Sequence, residues 1–174
     1  MKNRATNNMR YTGIVTLSQY IGSKKTKISQ VHNEGGNPLF EFLANCLIGD
    51  YTLAKIFRPT QIMLLERTKQ NGTDYSYSQI SSGAGLIYLL TRPEIVDIDG
   101  LCRVRYSFVI PKEVVNSITD FTNLYIGLYH DGASEDNPEE FSAICQPTLS
   151  NTAIQNAALM VDWDLIISDM YVGI

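Results

Sequence analysis

Asp162 and Asp164 are the residues whose type and spacing come closest to catalytic chemistry. They lie in Leu159–Ser168, where Leu159, Val161, Trp163, Leu165 and Ile167 alternate with Asp162, Asp164 and Ser168. A period of two puts both carboxylates on one face of a strand, roughly 6.6 Å apart. That separation overlaps the acid–base pair of a glycosidase. Nothing apolar beside them in sequence would raise one pKa, so they read as a solvated outer face. The segment His130–Glu140 gathers Asp131, Glu135, Asp136, Glu139 and Glu140, which raises calcium. It lacks the ligand order and closing glutamate of an EF-hand and reads as an acidic loop. His32 and His130 can act as bases, yet no nucleophile elbow or paired-histidine metal motif accompanies them. Ser82-Gly83-Ala84-Gly85 follows a loop and matches no phosphate-binding pattern, so it reads as a turn. Cys46, Cys102 and Cys145 are widely spaced, form no Cys-x-x-Cys pair and sit in apolar runs, as reduced, buried thiols do. No catalytic, cofactor-binding or metal-ligating residue is assigned, and no cofactor is expected.

The elements that carry these residues are mostly strands. Leu101–Ile110 places Cys102, Val104, Tyr106, Phe108 and Ile110 on one side and Arg103, Arg105 and Ser107 on the other, and Pro111 ends it. Asn123–Tyr129 repeats the pattern with Leu124, Ile126 and Leu128 inward and Tyr125 and Tyr129 outward. Further strands are expected at Tyr11–Ile21, Thr26–Asn33, Thr60–Glu66 and Leu86–Thr91. Asn37–Ile48 is the best helix: Asn37 can cap it, Pro38 suits its first turn and Gly49 stops it. Leu39, Leu43, Cys46 and Leu47, widened by Phe40 and Phe42, form its apolar stripe. Asp50–Arg58 is at most a short helical turn, and Arg67–Gly85 reads as the longest irregular stretch, suited to contact. One helix cannot supply the crossovers of a parallel sheet. The expected fold is mainly β, an antiparallel β-sandwich (jelly-roll-like) with one N-terminal α-helix. Residues 1–10 form a flexible basic arm and 11–174 a single sandwich domain.

The chain has 174 residues and a net charge of −4, unevenly spread. Residues 1–33 hold six Lys or Arg and no acid, while residues 131–174 hold eight acids and no Lys or Arg. The overall pI of about 5.1 argues against nucleic acid as the partner of the basic end. Basic and acidic surfaces meeting between copies or neighbours would instead build rings or lattices. Lys2, Arg4 and Arg10 of the arm, with Tyr75, Tyr77, Tyr125 and Tyr129, are the expected partner contacts. If Leu101–Ile110 and Leu159–Ser168 pair, Arg103 and Arg105 are cross-strand partners for Asp162 and Asp164. No secretory leader is expected, and no apolar run approaches the roughly 20 residues that cross a bilayer. The odd, unpaired cysteines suit a reducing cytoplasm as the place of synthesis.

Several phrases carry a resemblance. They are Asn33-Glu34-Gly35-Gly36-Asn37-Pro38-Leu39-Phe40, then Phe42 to Gly49, then Arg58-Pro59-Thr60-Gln61-Ile62-Met63-Leu64. Arg105-Tyr106-Ser107-Phe108-Val109-Ile110-Pro111, Gly127-Leu128-Tyr129 and Val161-Asp162-Trp163-Asp164-Leu165-Ile166-Ile167 complete the series. In this order, over residues 30–168, the chain resembles structural virion proteins of crAss-like and related tailed bacteriophages. The resemblance implies a non-enzymatic head or tail accessory protein of the virion. It would be made in the host cytoplasm and act through repeated contacts with other virion proteins in a symmetric assembly. It transfers no catalytic residues. The alternative is a receptor- or carbohydrate-binding module of a phage fibre, served by exposed aromatics and a loop able to take Ca²⁺.

Overall fold

A computed structural model describes residues 8–21, 23–70, 74–80, 85–98, 101–150 and 156–170. The strands are β1 (Asn8–Ile21), β2 (Lys24–Gly35), β3 (Pro59–Gln70), β4 (Asp74–Gln79), β5 (Ile87–Tyr88), β6 (Glu94–Ile98), β7 (Leu101–Ile110), β8 (Leu124–His130), β9 (Ala143–Cys145) and β10 (Leu159–Met170). Helices α1 (Asn37–Ile48) and α2 (Tyr51–Phe57) lie between β2 and β3, and α3 (Lys112–Ser117) follows β7. The chain is mainly β, and its strands form one antiparallel sheet in the order β4-β3-β8-β9-β2-β1-β10-β7-β6, with β5 also on β3.

Alternation sets which face is which. On β10, Leu159, Val161, Trp163 and Leu165 point into the core; Tyr106, Phe108 and Ile110 do so from β7, and Val15 and Leu17 from β1. The same core takes Ile62 and Leu64 from β3 and Leu124, Ile126 and Leu128 from β8, so both halves of the sheet cover one apolar interior. The halves join through only two residue pairs, Glu34↔Ile144 and Gly35↔Ala143, continued by Gly36 N donating to Ser142 O at 2.7 Å. At the other side the segment after β5 bridges them: Leu89 N donates to Thr60 O at 3.0 Å and Leu90 N to Ser107 O at 2.9 Å.

Two expectations need correction. Residues 67–70 and 74–79 are not irregular: β3 runs on to Gln70 and pairs with β4, Arg67 opposite Tyr77 and Gln70 opposite Asp74. The Ser/Tyr-rich composition masks a regular antiparallel ladder. There are also three helices among the described residues: α1 and the short α2 fall where a helix and a short helical turn were expected, and α3 was not expected. The helix α1 starts one residue earlier than the capping argument implied. Gly36 is its N-cap, without a side-chain cap, and Gly49 in the left-handed conformation (φ 80°) ends it. Asp50 caps α2, its Oδ1 accepting from Leu53 N at 3.1 Å. Of the expected basic arm, Asn8–Arg10 already belong to β1, opposite Met170–Ser168. Lys2 and Arg4 lie outside the described residues. No helix of the described residues is long and apolar enough to cross a membrane.

Candidate functional site

The two aspartates sit on the face of β10 opposite the core, as their alternation requires, but that face is not solvated. Asp162 and Asp164 are only 5% and 3% exposed. Register sets Asp164 opposite Arg105 and Asp162 opposite Ser107. Arg105 grips Asp164 with two bonds, Nε to Oδ1 at 2.7 Å and a terminal nitrogen to Oδ2 at 2.9 Å. Asp162 accepts from Ser107 Oγ at 2.8 Å and from Lys25 Nζ at 2.8 Å. The long side chains of Lys25 and Arg105 lie over the carboxylates and exclude water from them. Bonding to Asp164 holds the Arg105 proton more tightly than usual. Each carboxylate is therefore committed to a cation, an arrangement that fits neither an acid nor a base poised for proton transfer. Arg103, expected as a second cross-strand partner, faces Ile166.

Lys25 belongs to the basic opening third and Asp162 to the acidic end. Because β2, β1 and β10 are neighbours, part of the charge that the sequence segregates is neutralised inside one molecule.

The acidic loop is tied down rather than arranged around an ion. Glu135 Oε1 accepts from Leu86 N at 3.2 Å, and Glu139 Oε1 from Tyr77 N at 3.4 Å. Among the described residues no group of three or more His, Cys, Asp or Glu is placed to hold a metal. His130 is buried at the end of β8, its ring 5.6 Å from that of Phe57, and its Nδ1 accepts from Gly132 N. Cys145 is buried among apolar neighbours, which pushes its thiol pKa up and disfavours the nucleophilic thiolate. Cys46 is half-buried, and both thiols are free.

The tyrosines expected at contacts divide. Tyr125 and Tyr129 do lie opposite Leu124, Ile126 and Leu128 on β8, but that face is covered too. With Met63, Leu65 and Ile144 they form a second apolar cluster, roofed by Tyr77, Leu86, Ala133 and Phe141. Outward on a strand is thus not outward to solvent here, and Tyr129 is fully buried. Gly127 between them is required: a Cβ there would stand 2.7 Å from the Tyr129 ring. Tyr75 and Tyr77 of β4 lie beside this cluster, and Tyr75 is half-exposed. Arg67 brings two of the four tyrosines together, its guanidinium 4.3 Å from the Tyr75 ring centre and 5.0 Å from that of Tyr125. Arg10 is far from them on β1, and its side chain lies outside the described residues.

The surface that the strand pattern did not reveal is on the helices. In α1, Leu39 is buried and Phe42 and Leu43 pack on the core, but Leu47, expected in the same stripe, is 70% exposed. Phe40, Ala44, Leu47 and Ile48 recur at i, i+4, i+7 and i+8, a second apolar stripe that faces away from the sheet. Helix α2 packs against α1 and adds exposed Tyr51, Leu53 and Ile56. These six large side chains are 43–76% exposed. A helix that is apolar on both sides is normally covered on both. The signal was present in the sequence, since only Asn37, Glu41 and Asn45 interrupt the apolar run of α1.

No protein-family model, curated protein or solved structure matches this chain.

Proposed function

We propose that this chain is a non-enzymatic structural component of a tailed-phage virion, a head or tail accessory protein that works by repeated contact with other virion proteins. The observation that supports it best is the apolar outer face of α1 and α2, built from Phe40, Leu47, Ile48, Tyr51, Leu53 and Ile56. Commitment of Asp162 and Asp164 to Arg105, Ser107 and Lys25 fits the same reading, because it leaves the best acid–base candidates occupied. In this reading the curled sheet is a jelly-roll-like β-sandwich, its halves closing over Trp163, Phe108, Ile62 and Ile126, and the helical pair is the docking knob on its rim.

The test replaces outward residues only. Phe40→Lys with Leu47→Lys should leave the near-ultraviolet circular dichroism and the melting temperature unchanged. It should abolish incorporation into particles, read as copy number by mass spectrometry of purified virions. Incorporation at the wild-type copy number would sink the proposal.

A further inference from the structure

The outer face of the sheet also carries a built recess. Five neighbouring strands, β4, β3, β8, β9 and β2, contribute to one row across that face. In order the row reads Tyr77, Arg67, Tyr125, Gln146 just past β9, then Glu34 and His32, and these residues line a cleft of about 250 Å³. Pairing places them there: Arg67 is opposite Tyr77, and Glu34 is opposite Ile144 at the floor.

Arg67 is the centre of the site. Stacking on Tyr75 and Tyr125 fixes the plane of its guanidinium. The rings are themselves held: Tyr77 meets Tyr125 edge-on at 5.4 Å and Phe141 at 5.5 Å. The Tyr125 hydroxyl donates to Gln146 Oε1 at 2.8 Å, and Gln146 Nε2 donates to Thr122 O at 3.0 Å. The ion pairs among the described residues use Lys25 and Arg105, and none uses Arg67. A guanidinium held between two rings, with no carboxylate partner among the described residues, at the mouth of a cleft, is a ready fork for a planar carboxylate. Glu34 and His32, both exposed on the opposite wall, offer a carboxylate acceptor and an imidazole N–H donor. Glu34 also disfavours a doubly charged anion, and the largely polar lining disfavours an apolar one.

We infer that this cleft binds a monoanionic sugar acid: the carboxylate on Arg67, ring hydroxyls on Glu34 and His32, and a C–H face against Tyr77. The inference stands on the cleft alone and does not rest on the assembly reading.

The purified full chain is titrated with N-acetylneuraminic acid, glucuronic acid, glucose and inorganic phosphate, each followed by amide NMR shifts. Either sugar acid should give saturable millimolar shifts at Arg67, Tyr77 and Gln146, weakened by salt. Glucose and phosphate should give none at these amides. Arg67→Met keeps the apolar stem and should weaken binding by about tenfold or more, while Arg67→Lys, a point charge without the fork, should recover only part of it. Unchanged dispersion of the remaining amides certifies that both variants are folded. Absence of saturable shifts with both sugar acids overturns the inference, as does equal binding of phosphate or glucose, or binding that survives Arg67→Met.

Discussion

Asp164 and Arg105 show what one residue can and cannot reveal in sequence. Their types and alternation made a cross-strand pair predictable, and the register supplies it. What could not be read was the burial of Asp164, or that Lys25, 137 residues away along the chain, bonds the neighbouring Asp162. Removing one partner strands the other in a dry place. Asp164→Ala should therefore cost about 3 kcal/mol in urea unfolding, toward the low end for a buried pair because the Arg105 side chain keeps 30% exposure. The double replacement Arg105→Met with Asp164→Leu should recover most of the loss, since an apolar pair of similar volume leaves no stranded charge. Tyr129 is the second case. Alternation put it on the face away from the core, but no local pattern says that Met63, Leu65, Phe141 and the acidic loop close over that face. Burial pushes its phenol pKa up. Below pH of about 10 the folded and unfolded chains both keep the proton. Above that the unfolded chain releases it first, so stability falls as pH rises through the gap. Tyr129→Phe should make that alkaline fall shallower, at a cost of about 1 kcal/mol near neutrality for the lost bond to Pro138 O. Urea midpoints measured from pH 7 to 11 check both effects.

At the scale of elements, period and punctuation carried most of the information. Strands β1, β2, β7, β8 and β10 follow their alternation, and α1 follows its Pro and Gly boundaries. Failures came where composition outweighed pattern. The Ser and Tyr content of the segment after Arg67 suggests a loop, although Thr68 and Gln70 bond Ser76 across a regular ladder. In α1 the expected stripe puts Leu39, Leu43, Cys46 and Leu47, widened by Phe40 and Phe42, on one side, although Phe40 and Leu47 turn outward with Ile48. The two faces have separate energetic signatures. Leu39→Ala should cost 2–5 kcal/mol, as truncation in a packed core does. Leu47→Lys alone should move stability by less than about 0.5 kcal/mol. Equal losses in thermal and urea unfolding would show that the outer stripe is packed within the monomer.

For the whole molecule, an antiparallel, mainly β chain follows from the sequence, whereas strand order does not. Nothing local says that β10 runs between β1 and β7, or that β2 reaches β9 through two residue pairs. The narrow seam makes the bridge by Leu89 and Leu90 matter, because it ties β3 to β7 on the far side. Leu90→Pro removes the donor to Ser107 O and should cost about 1–3 kcal/mol. Amide exchange should then quicken in β6 and β7 before it does in β1 and β10, and uniform exchange would argue against a local opening. The central place of β10 also fixes a calendar. It is the last strand of the described chain to be synthesised, yet both its neighbours depend on it. Until it arrives, β1 and β7 expose unpaired edges that invite pairing with other chains. Translation must therefore pass β10 before the sheet can close, and truncation before Leu159 should divert the product into aggregates.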